Sequence, residues 1–186
     1  MIAVGASTGG TEAIYNVLRY LPPTTPGILI VQHIPPVFSQ MFAKRLNDNT
    51  QLTVKEAQSG DLLGPGIVLV APGDRHMRIK RVGGLFRAEV FEGPKRNGHC
   101  PSVDVLFESV AEVCGQTAVG VILTGMGEDG ARGLLAMRKS GARTIGQDEK
   151  SCVVYGMPKA AYEMGGVERQ SSLEDIPNAI SSVLSS

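Results

Sequence analysis

The sequence predicts an α/β fold: one doubly wound, mostly parallel sheet flanked by helices, with an inserted antiparallel β-hairpin. Three observations predict it. Short β-branched apolar runs alternate with amphipathic stretches, the rhythm of parallel strands joined by helices. The run Ile28-Leu29-Ile30-Val31 is apolar throughout, as in a strand covered on both faces. Finally, Met77–Lys80 and Leu85–Val90 bracket Gly83-Gly84, the sequence form of a hairpin.

Taken in order, the first strand is Ile2–Val4, followed by a glycine-rich turn. A helical pattern through Ile14, Val17, Leu18 and Leu21 ends at Pro22-Pro23, because proline cannot continue a helix. The strand Ile28–Val31 leads to a helix with apolar Phe38, Met41, Phe42 and Leu46. Leu52–Ala57 and Ile67–Ala71 read as further strands before the hairpin. Then come a helix over Val103–Val113, a strand over Ala118–Leu123, a helix over Ala131–Ser140 and a strand over Arg143–Gly146. A final helix covers Leu173–Leu184. No repeat, low-complexity linker or composition break divides the 186 residues, so they are expected to form a single domain. A core strand starting at residue 2 has no leader in front of it, which leads us to expect an upstream domain in the natural protein.

Composition narrows the function. The chain is 42% hydrophobic and 19% charged, enough for a sizeable core and too apolar for a disordered tail. No apolar run reaches the roughly 18 residues of a membrane span, and the N-terminus has no signal-peptide pattern. Eighteen basic residues balance eighteen acidic ones, which argues against a nucleic-acid binder. Three widely spaced cysteines, Cys100, Cys114 and Cys152, fit free thiols in a cytoplasmic protein better than a disulfide framework. No cofactor or metal is expected, since the sequence has neither C-x-x-C nor H-E-x-x-H. The charge is unevenly placed: residues 75–96 carry seven basic residues against Glu89 and Glu92. That segment is either a solvated hairpin face or, presented on a protruding ribbon, a docking surface for an acidic partner.

In open parallel sheets, ligands bind beyond the carboxyl ends of the strands. Three reactive residues are expected there. Ser7 lies in Gly5–Gly10 (G-A-S-T-G-G) after the first strand, His33 in Q-H-I-P-P after the second, and Asp129 in T-G-M-G-E-D-G after the strand ending at Leu123. A serine, a histidine and an aspartate at one sheet edge are the parts of a nucleophilic triad. Each has a simpler alternative. Ser7 could serve an anion-binding turn, His33 could be satisfied by backbone, and Asp129 could cap the following helix. His76 and Asp74, in A-P-G-D-R-H-M, are rivals for the triad roles. The order Ser…His…Asp differs from the Ser…Asp…His of α/β-hydrolases, and Ser7 occupies the second glycine of a dinucleotide fingerprint.

Five blocks together resemble the catalytic domain of the bacterial chemotaxis receptor methylesterases (protein-glutamate methylesterases). They are V-G-A-S-T-G-G, V-Q-H-I-P-P, A-P-G-D-R-H-M, P-S-V-D-V-L-F and I-L-T-G-M-G-E-D-G. The resemblance implies Ser7, His33 and Asp129 as the triad, Thr8 and the backbone of Met126 as oxyanion auxiliaries, and His99 as a substrate-side residue. Cys100 stands where a basic residue is expected. The resemblance also implies a methylesterase catalytic domain over residues 1–186, lacking the family's N-terminal receiver domain. Its implied reaction is hydrolysis of glutamate methyl esters on the cytoplasmic domain of chemotaxis receptors, releasing methanol, with glutamine deamidation as a second activity.

Overall fold

The computed structural model describes residues 1–186. Its frame is a seven-stranded, all-parallel sheet in the order β3-β4-β2-β1-β7-β8-β9. The strands are β1 (Ile2–Ala6), β2 (Ile28–Gln32), β3 (Thr53–Glu56), β4 (Ile67–Val70), β7 (Val119–Ile122), β8 (Arg143–Gln147) and β9 (Arg169–Ser171). Successive side chains alternate between the two faces, and each face has its own core. One face packs Val4, Ile30, Val121 and Ile145 under helices α1 (Gly10–Leu18), α2 (Phe38–Asn49) and α6 (Ile176–Leu184). The other packs Ala3, Leu29, Leu69 and Ile122 under α3 (Val103–Cys114), α4 (Ala131–Lys139) and α5 (Met157–Glu163). Central strands buried on both faces explain why Ile28–Val31 is apolar without alternation.

After β1 the chain builds outward to one edge, then returns to place β7 on the other side of β1. The carboxyl end of β1 is therefore the point where strand order reverses. The helices that follow β1 and β7, α1 and α4, cover opposite faces of the sheet, and in open parallel sheets ligands bind at such a reversal point.

The hairpin β5 (His76–Val82) and β6 (Leu85–Phe91) pairs from His76↔Phe91 to Val82↔Leu85. Gly83 and Gly84 both take positive φ, as a two-residue turn of this twist demands. The expected protruding ribbon is not found. Met77, Ile79 and Ala88 are buried in the same core as α3, so one face of the hairpin is part of the body. Its charge is also largely paired. Arg78 and Lys80 share Glu89, Arg75 meets Glu92, and Arg96 meets Glu108. Arg78 and Lys80 together hold the Glu89 carboxyl down to about 2. Arg81, Arg87 and Lys95 form no ion pair, although Arg87 donates to the Gly60 carbonyl.

Other departures have local causes. The last helix begins at Ile176 and not at Leu173. Leu173–Asp175 forms a 3₁₀ turn capped by Ser172, and Pro177, lacking an N–H, occupies the first turn of α6. The first helix stops at Leu18, while Leu21 is buried beyond it. Helix α5 and strand β9 had no expectation. The helix is seven residues long, and the strand is a three-residue polar edge, Arg169-Gln170-Ser171, with no apolar pattern to reveal it.

Candidate active site

The three strand-end residues converge. Ser7 follows β1 and His33 follows β2, neighbouring parallel strands in which Ala6 stands opposite Gln32. The His33 N–H donates to the Ala6 carbonyl at 3.1 Å, and the Gln32 side-chain amide donates to the Ser7 carbonyl at 2.8 Å. The Ser7 N–H donates to the Thr124 carbonyl at 3.0 Å, which fastens the serine turn to the loop after β7. A Cβ built on Gly125 would lie 2.8 Å from Ser7 Cβ, so that loop passes directly against the serine.

His33 Nε2 lies 2.7 Å from Asp129 Oδ2, with the aspartate side chain fully buried. An ionised carboxylate only accepts, so Nε2 carries the proton and Nδ1 holds the free lone pair. Nδ1 is buried and has no hydrogen-bond partner. The basic nitrogen is therefore Nδ1. No Ser7–His33 hydrogen bond closes in this resting geometry, as is common before substrate is bound.

Asp129 does not cap the helix that follows it; Gly130 occupies that position. Instead its carboxylate sits on the N-terminus of α3. Oδ1 accepts from Ser102 Oγ at 2.8 Å, Asn97 Nδ2 at 2.8 Å and the Asp104 N–H at 3.1 Å. Oδ2 accepts from the Val103 N–H at 2.8 Å in addition to His33. Burial alone would push this carboxyl up. The donors from His33, Val103, Asn97 and Ser102 override it and hold the group at about 2. Asp129 is thus a fixed negative charge at neutral pH, able to stabilise an imidazolium.

His99 stacks on His33. Its ring lies 3.6 Å from that of His33, tilted by only 8°. Burial, and then the neighbouring His33, push its imidazole down, which favours the neutral form. A cleft of about 280 Å³ opens beside these rings, with Pro35, Asp74, Lys95 and Cys100 in its walls. Burial pushes the Cys100 thiol up, which disfavours its thiolate form.

The rival histidine is accounted for differently. His76 is buried, donates from Nε2 to the Pro94 carbonyl at 2.8 Å and accepts the Ser102 N–H on Nδ1 at 3.2 Å. Both nitrogens serve backbone, so His76 is a strut beneath the 94–102 segment. Asp74, with φ of 62°, lines the cleft and does not reach a histidine as an ion pair. The amides of Thr8 and Met126 have no hydrogen-bond partner within the chain; Thr8 follows Ser7 directly, and Met126 follows Gly125, whose backbone passes against the serine. The Met126 side chain itself is exposed.

Sequence reasoning missed Ser102, Asp104 and Asn97 as supports of Asp129. Ser102 and Asp104 lie inside P-S-V-D-V-L-F, a block noticed for its resemblance but not for its contacts. Asn97-Gly98 carried a readable signal, because Asn-Gly is the strongest short-range marker of a tight hairpin turn.

This arrangement can be set beside known proteins. A protein-glutamate methylesterase/protein-glutamine glutaminase of Syntrophomonas wolfei is 60% identical over 180 residues, covering 97% of this chain and 53% of the relative. One from Yersinia pestis is 54% identical over the whole chain and again 53% of the relative. The chain thus spans about half the length of the curated relatives it matches. The crystal structure of the Thermotoga maritima CheB methylesterase catalytic domain superimposes with a TM-score of 0.93 at 37% identity. It covers 96% of this chain and 95% of that one. The CheB methylesterase family model matches residues 2–180, nearly the full length, and with that the chain belongs to the CheB methylesterase family.

Proposed function

We propose that this chain is the catalytic part of a serine esterase that removes methyl groups from glutamate γ-methyl esters on chemotaxis receptors and also deamidates glutamine side chains. The observation that carries it is the oriented pair: an Nε2–H held by a buried, ionised Asp129, the opposite nitrogen of His33 without a partner, and the His33 backbone bonded to Ala6, the residue before Ser7.

Nδ1 of His33 takes the Ser7 hydroxyl proton as Oγ attacks the ester carbonyl carbon, and the carbonyl π pair moves to oxygen. The amides of Thr8 and Met126 receive that oxyanion. When the tetrahedral intermediate collapses, the His33 imidazolium passes its proton to the leaving methoxide, and methanol departs. Water, deprotonated by the same nitrogen, then hydrolyses the glutamyl-serine ester and frees Oγ. A glutamine amide follows the same course, with ammonia as the leaving group. Asp129 remains ionised throughout and compensates the imidazolium.

In this reading His99 is a substrate-side group: it shares the cleft wall with Lys95 while lying against His33. The partners are the cytoplasmic domain of chemotaxis receptors and, in a longer natural protein, a receiver domain N-terminal to residue 1. The relatives' length, about twice this chain, supports that second partner. The protein works in the cytoplasm, and no helix is long and apolar enough to cross a membrane.

The test is methanol release from a methylated receptor fragment, with Ser7→Ala as control. The variant should lose roughly 10³-fold or more in kcat, because triad members act as a unit. Retention of more than about a tenth of the wild-type rate would remove Ser7 from the nucleophile's role.

A further inference from the structure

Between Lys95 and Cys100 the chain makes a tight two-residue turn. Arg96 and His99 exchange both backbone hydrogen bonds, at 2.9 and 3.0 Å, and the central residues Asn97 and Gly98 take φ of 56° and 80°. Asparagine and glycine are the residues that adopt this conformation most readily. The turn is exposed, yet two of its side chains reach His33 and Asp129, and a third ties it to α3. Arg96 anchors it to α3 through both guanidinium nitrogens on Glu108. His99 lies flat on His33. The Asn97 amide nitrogen donates one hydrogen to Asp129 Oδ1 at 2.8 Å and the other to Asp104 Oδ2 at 2.7 Å.

Asp104 and Asp129 are both buried, and a single –NH₂ group lies between them. Asp104 also accepts the Gly133 N–H at 2.7 Å. Burial pushes its carboxyl up, and the neighbouring Asp129 adds to that push. Without a donor between them, two buried carboxylates would face each other and either repel or retain a proton. With Asn97 present, Oδ1 of Asp129 is saturated by three donors, which leaves Oδ2 for the Val103 N–H and His33. We propose that Asn97 is a positioning residue for ester hydrolysis, its amide separating Asp104 from Asp129 and keeping Asp129 Oδ2 on His33. This rests on the assignment of Ser7, His33 and Asp129 made above. The charged and titratable groups facing this pair are Asp104 on α3, His99 and Arg96 on the turn, Lys95 beside it and Asp74 across the cleft.

Two variants test it, because both keep the left-handed backbone. Asn97→Gly removes the amide. Its kcat on a glutamate-γ-methyl-ester peptide should fall about 10-fold, the value of one hydrogen bond to a charged group, with KM unchanged. Asn97→Asp is isosteric. While protonated it can still donate once; ionised, it adds a third carboxylate to the cluster. Its kcat relative to wild type should therefore decline as pH rises from about 5 to about 8, since carboxyls packed together lose protons well above their usual range. The rate at which a fluorophosphonate labels Ser7 should follow the same pattern, and it requires the base but no methyl ester. Both variants within twofold of wild type at every pH would overturn the proposal. So would losses that track melting temperature with no pH dependence in Asn97→Asp, since a plain turn role predicts that. Wild-type protein that resists labelling altogether would sink the nucleophile assignment and this inference together; labelled wild type with unaffected variants would sink only Asn97.

Discussion

Replacing Asp129 by asparagine changes one atom and reverses one donor. Five donors converge on this carboxylate. If the new amide oxygen takes the Oδ1 place with its three donors, the –NH₂ takes the Oδ2 place. There it points at the Val103 N–H and at His33 Nε2, two groups that now donate. The imidazole must then accept on Nε2 and carry its proton on Nδ1, the nitrogen that serves as base. The wrong tautomer at this position costs about 10⁴ in kcat in serine proteases, and a loss of that order is expected here. Stability should fall as well. A carboxylate at a partly buried helix N-terminus contributes up to about 2 kcal/mol, and an N–H left facing an N–H costs roughly 1–3 kcal/mol. The sum, about 3 kcal/mol, can be compared with the carboxyl's own titration. It drops from an ordinary 3.8 to about 2 on folding, in a fully buried side chain, which corresponds to roughly 2 kcal/mol. Because the folded value is the lower one, this stabilisation is complete above about pH 4 and is lost as pH falls through about 2. The penalty of Asp129→Asn in urea unfolding should thus be about 3 kcal/mol at pH 7 and shrink steadily below pH 4. A penalty that stays constant across that range, or a variant that retains a tenth of wild-type kcat, would refute the reasoning.

Further outcomes follow from the same geometry. His33→Gln should lower kcat about as much as Ser7→Ala, whereas His76→Gln, whose ring nitrogens serve only backbone, should keep most of the activity of whatever protein remains folded; the opposite order would reverse the assignment. Gly5→Ala places a Cβ 2.3 Å from Val103 Cγ1, an overpacking worth about 1–3 kcal/mol. Its melting temperature should fall by roughly 3–10 °C, and Val103→Ala in the same chain should restore most of it; a melting temperature equal to wild type would show that the strand yields freely. Reversing Arg81 and Arg87, the unpaired cations of the hairpin, to Glu should raise KM for a receptor fragment at low salt only, and leave a small ester unaffected. Equal loss on both substrates would assign the hairpin to support of the site, and no loss on either would make it a solvated surface.

Every strand but β9, the parallel arrangement and the three reactive strand ends were legible in the sequence. Apolar runs report burial on both faces, and a parallel sheet brings every strand's carboxyl end to one edge. Ser7 and His33 needed only that β1 and β2 be neighbours. The place of Asp129 also followed from its strand end, but its environment did not. Its carboxylate is held by the N-terminus of α3, 25 residues earlier in the chain, and periodicity carries no information about which helix meets which loop. The same holds for His76, whose sequence context matches that of a catalytic histidine until packing gives both its nitrogens to backbone. The hairpin shows the converse. Its turn and its strands were plain in Gly83-Gly84 and the flanking runs. Its burial against α3, and the sharing of Glu89 by Arg78 and Lys80, depend on which of two alternating faces the body covers. Local chemistry sets the elements and the ends of strands because those forces act within a few residues. The choice of Nδ1 as base, and of Asn97 as the amide between two carboxylates, comes from contacts 32 and 96 residues apart in the chain, which only the closed fold brings within hydrogen-bond distance.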